Sequence, residues 1–227
     1  MKAAAGLALA LILGVAGPVV GHHVGTFTPR DNEISANFKQ LKFSIEAGRF
    51  DVAQRLFETG AVRKEMRAQA ARLPTGLEET VGASLRTRNR EDAERGLMVF
   101  FAALTRDLAL EANRQVFAPG AFADARAAAG QKFLEAIWRY YNLIDFAVSR
   151  YDPKAAVAIR LAFDEAASDA KSAAAPVALN PCAGPRPTAA AGPAAGPRPE
   201  RLLGPLRRIA ETLAGVVETA SPARRPS

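Results

Sequence analysis

Histidine occurs only twice in this 227-residue chain, at His22 and His23, and nothing downstream of them carries another. A folded body without histidine has no Ser–His–Asp triad, no HExxH zinc site and no Glu-x-x-His di-iron pattern. Cysteine occurs once, at Cys182. One cysteine allows no disulfide within the chain. There is no Cys-x-x-Cys-His for covalent haem, and no lipobox cysteine near the start. Glycine-rich phosphate loops are missing too: neither GxGxxG nor GxxxxGK[ST] is found. No segment alternates apolar and polar residues as a half-buried strand does. Aromatic residues make up 7%, with a single tryptophan at Trp138.

The first 21 residues stand apart. Met1-Lys2 is a short positive start, residues 3–16 are apolar, and Val19-Val20-Gly21 offers the small residues that a signal peptidase reads. An apolar run of about 14 residues is short of the roughly 20 that span a bilayer. The expectation is a secretory signal over 1–21, export, a mature start near His22, and a flexible N-terminus over 22–30 ahead of the fold. Alanine is abundant and arginine far outnumbers lysine. That bias fits GC-rich bacterial coding, and so a periplasm.

The net charge of +7 is unevenly spread. Residues 22–175 hold 22 basic and 20 acidic side chains, whereas 176–227 hold 7 basic and 3 acidic. Interspersed signs describe a solvated helical surface rather than a basic patch, so nucleic acid is not an expected partner.

The periodicity from residue 31 onward is helical. Asp31 caps a helix with Ile34, Phe38, Leu41 and Ile45 on one face, ending at Gly48. Asp51 caps the next, and Gly60 interrupts it before 62–73. Residues 47–60 resemble the helix-turn-helix of a tetratricopeptide unit. That unit does not recur, as a stable array requires, so it reads as an ordinary helical hairpin. Thr75 and Glu78 read as a capping box for a short helix over 77–85. Asn89 caps a long helix through Leu97, Phe101, Leu104 and Leu108 to Phe117. A second long helix covers 121–150, with the stripe Leu134, Ile137, Tyr141, Ile144 and Val148. Asp152-Pro153 opens a third, with Ala156, Ile159, Phe163 and Ala166 on one face. Short turns make neighbours antiparallel. The predicted fold is all-α: an antiparallel bundle of four long helices and one or two short ones over 31–172.

Residues 173–199 turn to alanine, proline and glycine, a composition that builds no core and reads as a linker. Cys182 lies in it as an accessible free thiol. Over 200–220 the stripe Leu202, Leu206, Ile209, Leu213 and Val216 marks one amphipathic helix, followed by a tail over 221–227. An isolated helix of about 15 residues is marginal in water, so this one needs an apolar partner: the body of its own chain, a second copy, or another protein. Glu200, Glu211 and Glu218 offset Arg201, Arg207 and Arg208, which argues against a membrane.

Two metal readings arise from the residues. A free amine at His22, with the imidazoles of His22 and His23, suits Cu(II) or Ni(II). Asp107 and Glu111 on one long helix, with Glu135, Asp145, Tyr140 and Tyr141 on the next, offer oxygen ligands for a hard cation or ferric iron. The competing reading pairs these acids with Arg106, Arg114 and Arg139 at helical spacing. The Trp138–Tyr141 run reads as core and interface. The segment 140–166 (YYNLIDFAVSRYDPKAAVAIRLAFDEA) is similar to the helical periplasmic modules of bacterial iron-uptake systems, and that resemblance brings over no site residue. The expected function is an exported, non-enzymatic helical protein that binds another protein or itself through the C-terminal helix and holds no cofactor. The alternative is periplasmic metal handling, with copper or iron.

Overall fold

The computed structural model describes residues 30–174 and 198–221. It is all-helical, with no strand among the described residues. Helices α1 (Glu33–Glu46), α2 (Phe50–Thr59), α3 (Ala61–Ala68) and α4 (Leu77–Arg86) precede three longer ones, α5 (Arg90–Val116), α6 (Ala123–Tyr151) and α7 (Pro153–Ala174). A 3-10 turn (Pro199–Leu202) leads into α8 (Leu203–Ala220).

Local chemistry sets most boundaries. Asn32, rather than Asp31, caps α1: its side chain accepts from the Ser35 amide while the Ser35 hydroxyl accepts from the Asn32 amide. Asp31 instead accepts from Lys39 and Ser35, and these contacts hold its carboxyl below the usual range. Asn89 caps α5 through the Asp92 amide, and Asp152 caps α7 through the Ala155 amide. The expected Thr75–Glu78 capping box is not formed. Gly76, at φ 78°, is the N-cap of α4, a left-handed conformation that glycine adopts without strain. The Glu78 carboxylate is taken by Arg67 and Arg63 on α3. Pro205 falls in the first turn of α8, where its missing N–H disturbs nothing.

The core is organised around α5. Residues 97–105 (LMVFFAALT) are all buried, so this stretch is apolar on every side rather than along one stripe. The one hydroxyl there, Thr105, donates to the Phe101 carbonyl at 2.7 Å. Phe101 meets Phe38 of α1 at 4.5 Å between ring centroids and Tyr140 of α6 at 5.7 Å. Trp138 of α6 stacks on Phe163 of α7 at 4.6 Å. Helix α5 packs on α6, α6 on α7, α7 on α8, and α8 again on α5. Helix α4 and part of α1 cover further sides of α5, while α2 and α3 pack on α1 and α4; a methyl added at Gly96 of α5 would lie 2.5 Å from Val81 of α4.

The C-terminal stripe is part of this core. Leu202, Leu206, Ile209, Leu213 and Val216 are all buried, against α5 and α7. Of the placements open to the stripe, the protein takes the intramolecular one, and none of the five is left on the surface. The reason is geometric. Ala109 and Ala112 on α5, and Ala162 and Ala166 on α7, are buried small residues that let a further helix approach closely. The helix that completes the α5–α6–α7 neighbourhood is therefore α8. Helix α1 packs chiefly on α2 and α3.

Candidate functional site

Helix α8 docks on α5 along its length but leaves an open groove of about 870 Å³ beside the contact, bounded at one end by Arg72 of the α3–α4 loop. The groove exists because small side chains face each other there. Ala109 of α5 and Ala210 and Ala214 of α8 form its floor with Leu110, which is 48% exposed in mid-helix. Four guanidinium groups rim it: Arg72, Arg106, Arg114 and Arg207.

The acids expected to bind metal fall here as counter-ions. Asp107 receives a hydrogen bond from Arg106 at 2.8 Å, and Arg106 also reaches the Arg72 carbonyl at 3.2 Å. Glu111 accepts from Gln115 at 2.8 Å and pairs with Arg114 one turn on. The Gln115 hydrogen bond and the neighbouring Arg114 charge hold the Glu111 carboxyl below its ordinary range, so it is anionic at neutral pH. Glu211 stands 3.9 Å from Arg207, a loose pair with both side chains about 70% exposed. Asn113 spans the helices, donating to the Leu203 carbonyl at 3.3 Å.

The other two acids lie elsewhere. Glu135 is half-buried on α6. Asp145 meets Arg160 of α7, with Arg160 Nε 2.8 Å from Asp145 Oδ1, and Ser149 joins the pair. The mutual contact raises the Arg160 pKa. Tyr141 beside them is buried with its hydroxyl lacking a hydrogen-bond partner among the described residues, and burial together with the Asp145 charge pushes its pKa up. Of the four acids, Asp107 lines the α5–α8 groove, Glu111 lies beside it on α5, and Asp145 sits between α6 and α7. Among the described residues no three acids, histidines or cysteines gather as a metal site. His22, His23 and Cys182 lie outside the described residues.

Chemically, the groove offers guanidinium groups, carboxylates, one amide and methyl groups. It can bind an amphiphilic surface through its methyl groups and its charged rim. A second cleft, between α5 and α6, has Met98 and Ala147 among its lining, with Arg90, Glu94 and Arg150. There the charges are satisfied along α5 itself, Arg90 with Glu94 and Arg95 with Glu91, both at 2.6 Å. Neither depression was legible in the sequence, because each arises where residues far apart in the chain meet. The one local signal was Leu110, an apolar residue off the buried face of α5. No helix among the described residues is long and apolar enough to cross a membrane. No protein-family model, no curated protein and no solved structure matches this chain.

Proposed function

We propose that this is an exported, non-enzymatic helical protein that acts by binding another protein. The single observation carrying the binding reading is the α5–α8 groove, with an exposed leucine on its floor and arginines around it. An apolar centre with a polar rim is the anatomy of protein contact surfaces, and arginine is enriched in them. Export rests on the signal-like segment 1–21. The mature chain is expected to start at His22, which N-terminal sequencing of the protein from its native compartment reads directly.

Within this reading, α5, α6, α7 and α8 form an antiparallel four-helix bundle, and the Ala/Pro/Gly-rich stretch expected over 173–199 is the linker before its last helix. Each of the four packs on two others. Cross-links between successive members support the alternating direction: Asp145 with Arg160, Asp169 with Arg201, and Asn113 with Leu203.

The test places a photo-crosslinking residue at Leu110 and irradiates cells that express the full chain. The expected product is a covalent adduct with a second polypeptide. A folded variant that yields no adduct removes the groove as a contact site. Turnover by the purified protein that maps to a body residue removes the non-enzymatic reading.

A further inference from the structure

We infer that the α5–α8 groove takes an acidic amphipathic segment of the partner protein, about two helical turns long. This rests on the protein-binding reading above and names the chemistry of the occupant. The first support is charge. The lining carries Arg72, Arg106, Arg114 and Arg207 against Asp107 and Glu211, with Glu111 reaching Arg114 from the adjacent face. Arg106 is committed to Asp107 and to the Arg72 carbonyl. The guanidinium groups of Arg72, Arg114 and Arg207 are exposed, and the Arg207–Glu211 pair is loose at 3.9 Å. Exposed pairs of this kind are worth little, so these arginines are free to turn to an incoming carboxylate. Arginine binds carboxylates through two parallel N–H donors, which gives such a contact direction as well as charge.

The second support is shape. The lining runs from Arg106 to Arg114 on α5 and from Arg207 to Ala214 on α8. Seven to eight residue steps at 1.5 Å make a trough about 10–12 Å long, two turns of helix. Its floor is methyl groups and Leu110, so the facing surface of the occupant is apolar and its flanks acidic. Apolar residues at i, i+3, i+4 and i+7, flanked by aspartate or glutamate, meet both demands.

The probe is a synthetic helical peptide of two to three turns with leucine at those positions and glutamate on both flanks. Its control replaces every glutamate by lysine. Each is titrated into the isotopically labelled mature chain, and amide shifts are followed by NMR. The acidic peptide is expected to shift the amides around Leu110, Ala210 and Ala214 and to bind at least tenfold more tightly than the lysine peptide. Reversing two rim charges, Arg72→Glu with Arg207→Glu, is expected to abolish that preference. Both positions are exposed, and circular dichroism checks that the variant folds. Equal binding of the two peptides, shifts elsewhere on the surface, or a preference that survives the reversal overturns the inference. So does a response at Leu110 to phosphatidylglycerol vesicles but not to the acidic peptide, since the groove would then serve a membrane. The photo-crosslinking at Leu110 separates the two levels. An adduct whose linked segment is neutral or basic ends the acidic-occupant inference and leaves the protein-binding reading standing, whereas no adduct ends both.

Discussion

Gly130 of α6 lies against Leu202, the residue that leads into α8: a methyl group at Gly130 would sit 2.5 Å from Leu202 Cδ1 and 3.3 Å from a Val116 methyl. The missing side chain is what lets the 3-10 turn seat against α5 and α6. Gly130→Ala is expected to destabilise the protein by about 1–2 kcal/mol, since only the end of a leucine must move. Gly60→Ala is expected to do more damage. There the added methyl would meet the Leu56 carbonyl oxygen at 2.2 Å, and a helix backbone cannot turn aside as a rotamer does. Urea denaturation of both variants, and of Gly130→Ala combined with Leu202→Ala, checks this. The pair should cost less than the sum of its singles.

The burial of α8 turns it from an appendage into structure. Removing 175–227 uncovers Ala109, Ala112 and Val116 on α5 together with the α7 face. Burying each large apolar side chain contributes about 1.5–3 kcal/mol. Losing Leu206, Ile209, Leu213 and Val216 together is a large perturbation for a fold whose net stability is about 5–15 kcal/mol. The truncated chain should retain helical circular dichroism, bind ANS and lose its cooperative thermal transition. The single change Leu206→Ala should cost about 2–5 kcal/mol. A truncated chain that melts cooperatively near the wild-type temperature would contradict this.

Cutting the connection is a different perturbation from deleting the helix. Asp169 near the end of α7 and Arg201 in the 3-10 turn are 3.6 Å apart, so the chain leaves and re-enters the fold at nearly the same place. A protease site engineered within 175–197 should give two fragments that co-elute on gel filtration under native conditions and separate in denaturant. Elution of the C-terminal fragment alone would show that covalent linkage, not packing, holds α8.

Glu78 gives a pH signature. Its carboxylate bridges Arg67 and Arg63, and the hydrogen bond from Arg67 is the largest influence holding its pKa below the ordinary value. A carboxyl depressed in the folded state stabilises above its unfolded pKa, and that contribution fades as pH falls through the folded value. Glu78→Gln should therefore be destabilising at pH 7, by about 1 kcal/mol for this partly exposed pair. The gap to wild type should close below the usual carboxylate range. A gap that stays constant from pH 7 to pH 3 would show that the charge is not what matters.

Much of the architecture was readable from spacing. The stripes on α1, α6, α7 and α8 point inward as their periodicity implies, and Asn89 and Asp152 cap the helices they precede. A stripe states that an apolar partner is needed and not where it lies, so the stripe on α8 left the choice between its own chain and another open. Helix α5 misled in a different way: a heptad-like stripe can be drawn through residues 97–105 because nearly everything there is apolar. The carboxylates divided by range. Glu111 with Arg114, one turn apart on one helix, was visible as a pair, whereas Asp107 meets its chain neighbour Arg106 rather than a residue a turn away. Asp145 with Arg160 crosses between helices and was not visible. The groove follows from alanines on α5 and α8 meeting across some ninety residues of chain, as Asn113 and Leu203 do.

That separation orders events in time. The inner face of α5 is made some ninety residues before α8, the helix that covers it. Until then the nascent protein carries an uncovered apolar strip, Ala109, Ala112 and Val116 among it, and no tightly closed native state is open to it. On the export reading proposed above, a chain whose covering helix comes late would reach a translocase still threadable, and would lock into its final form only once α8 had crossed.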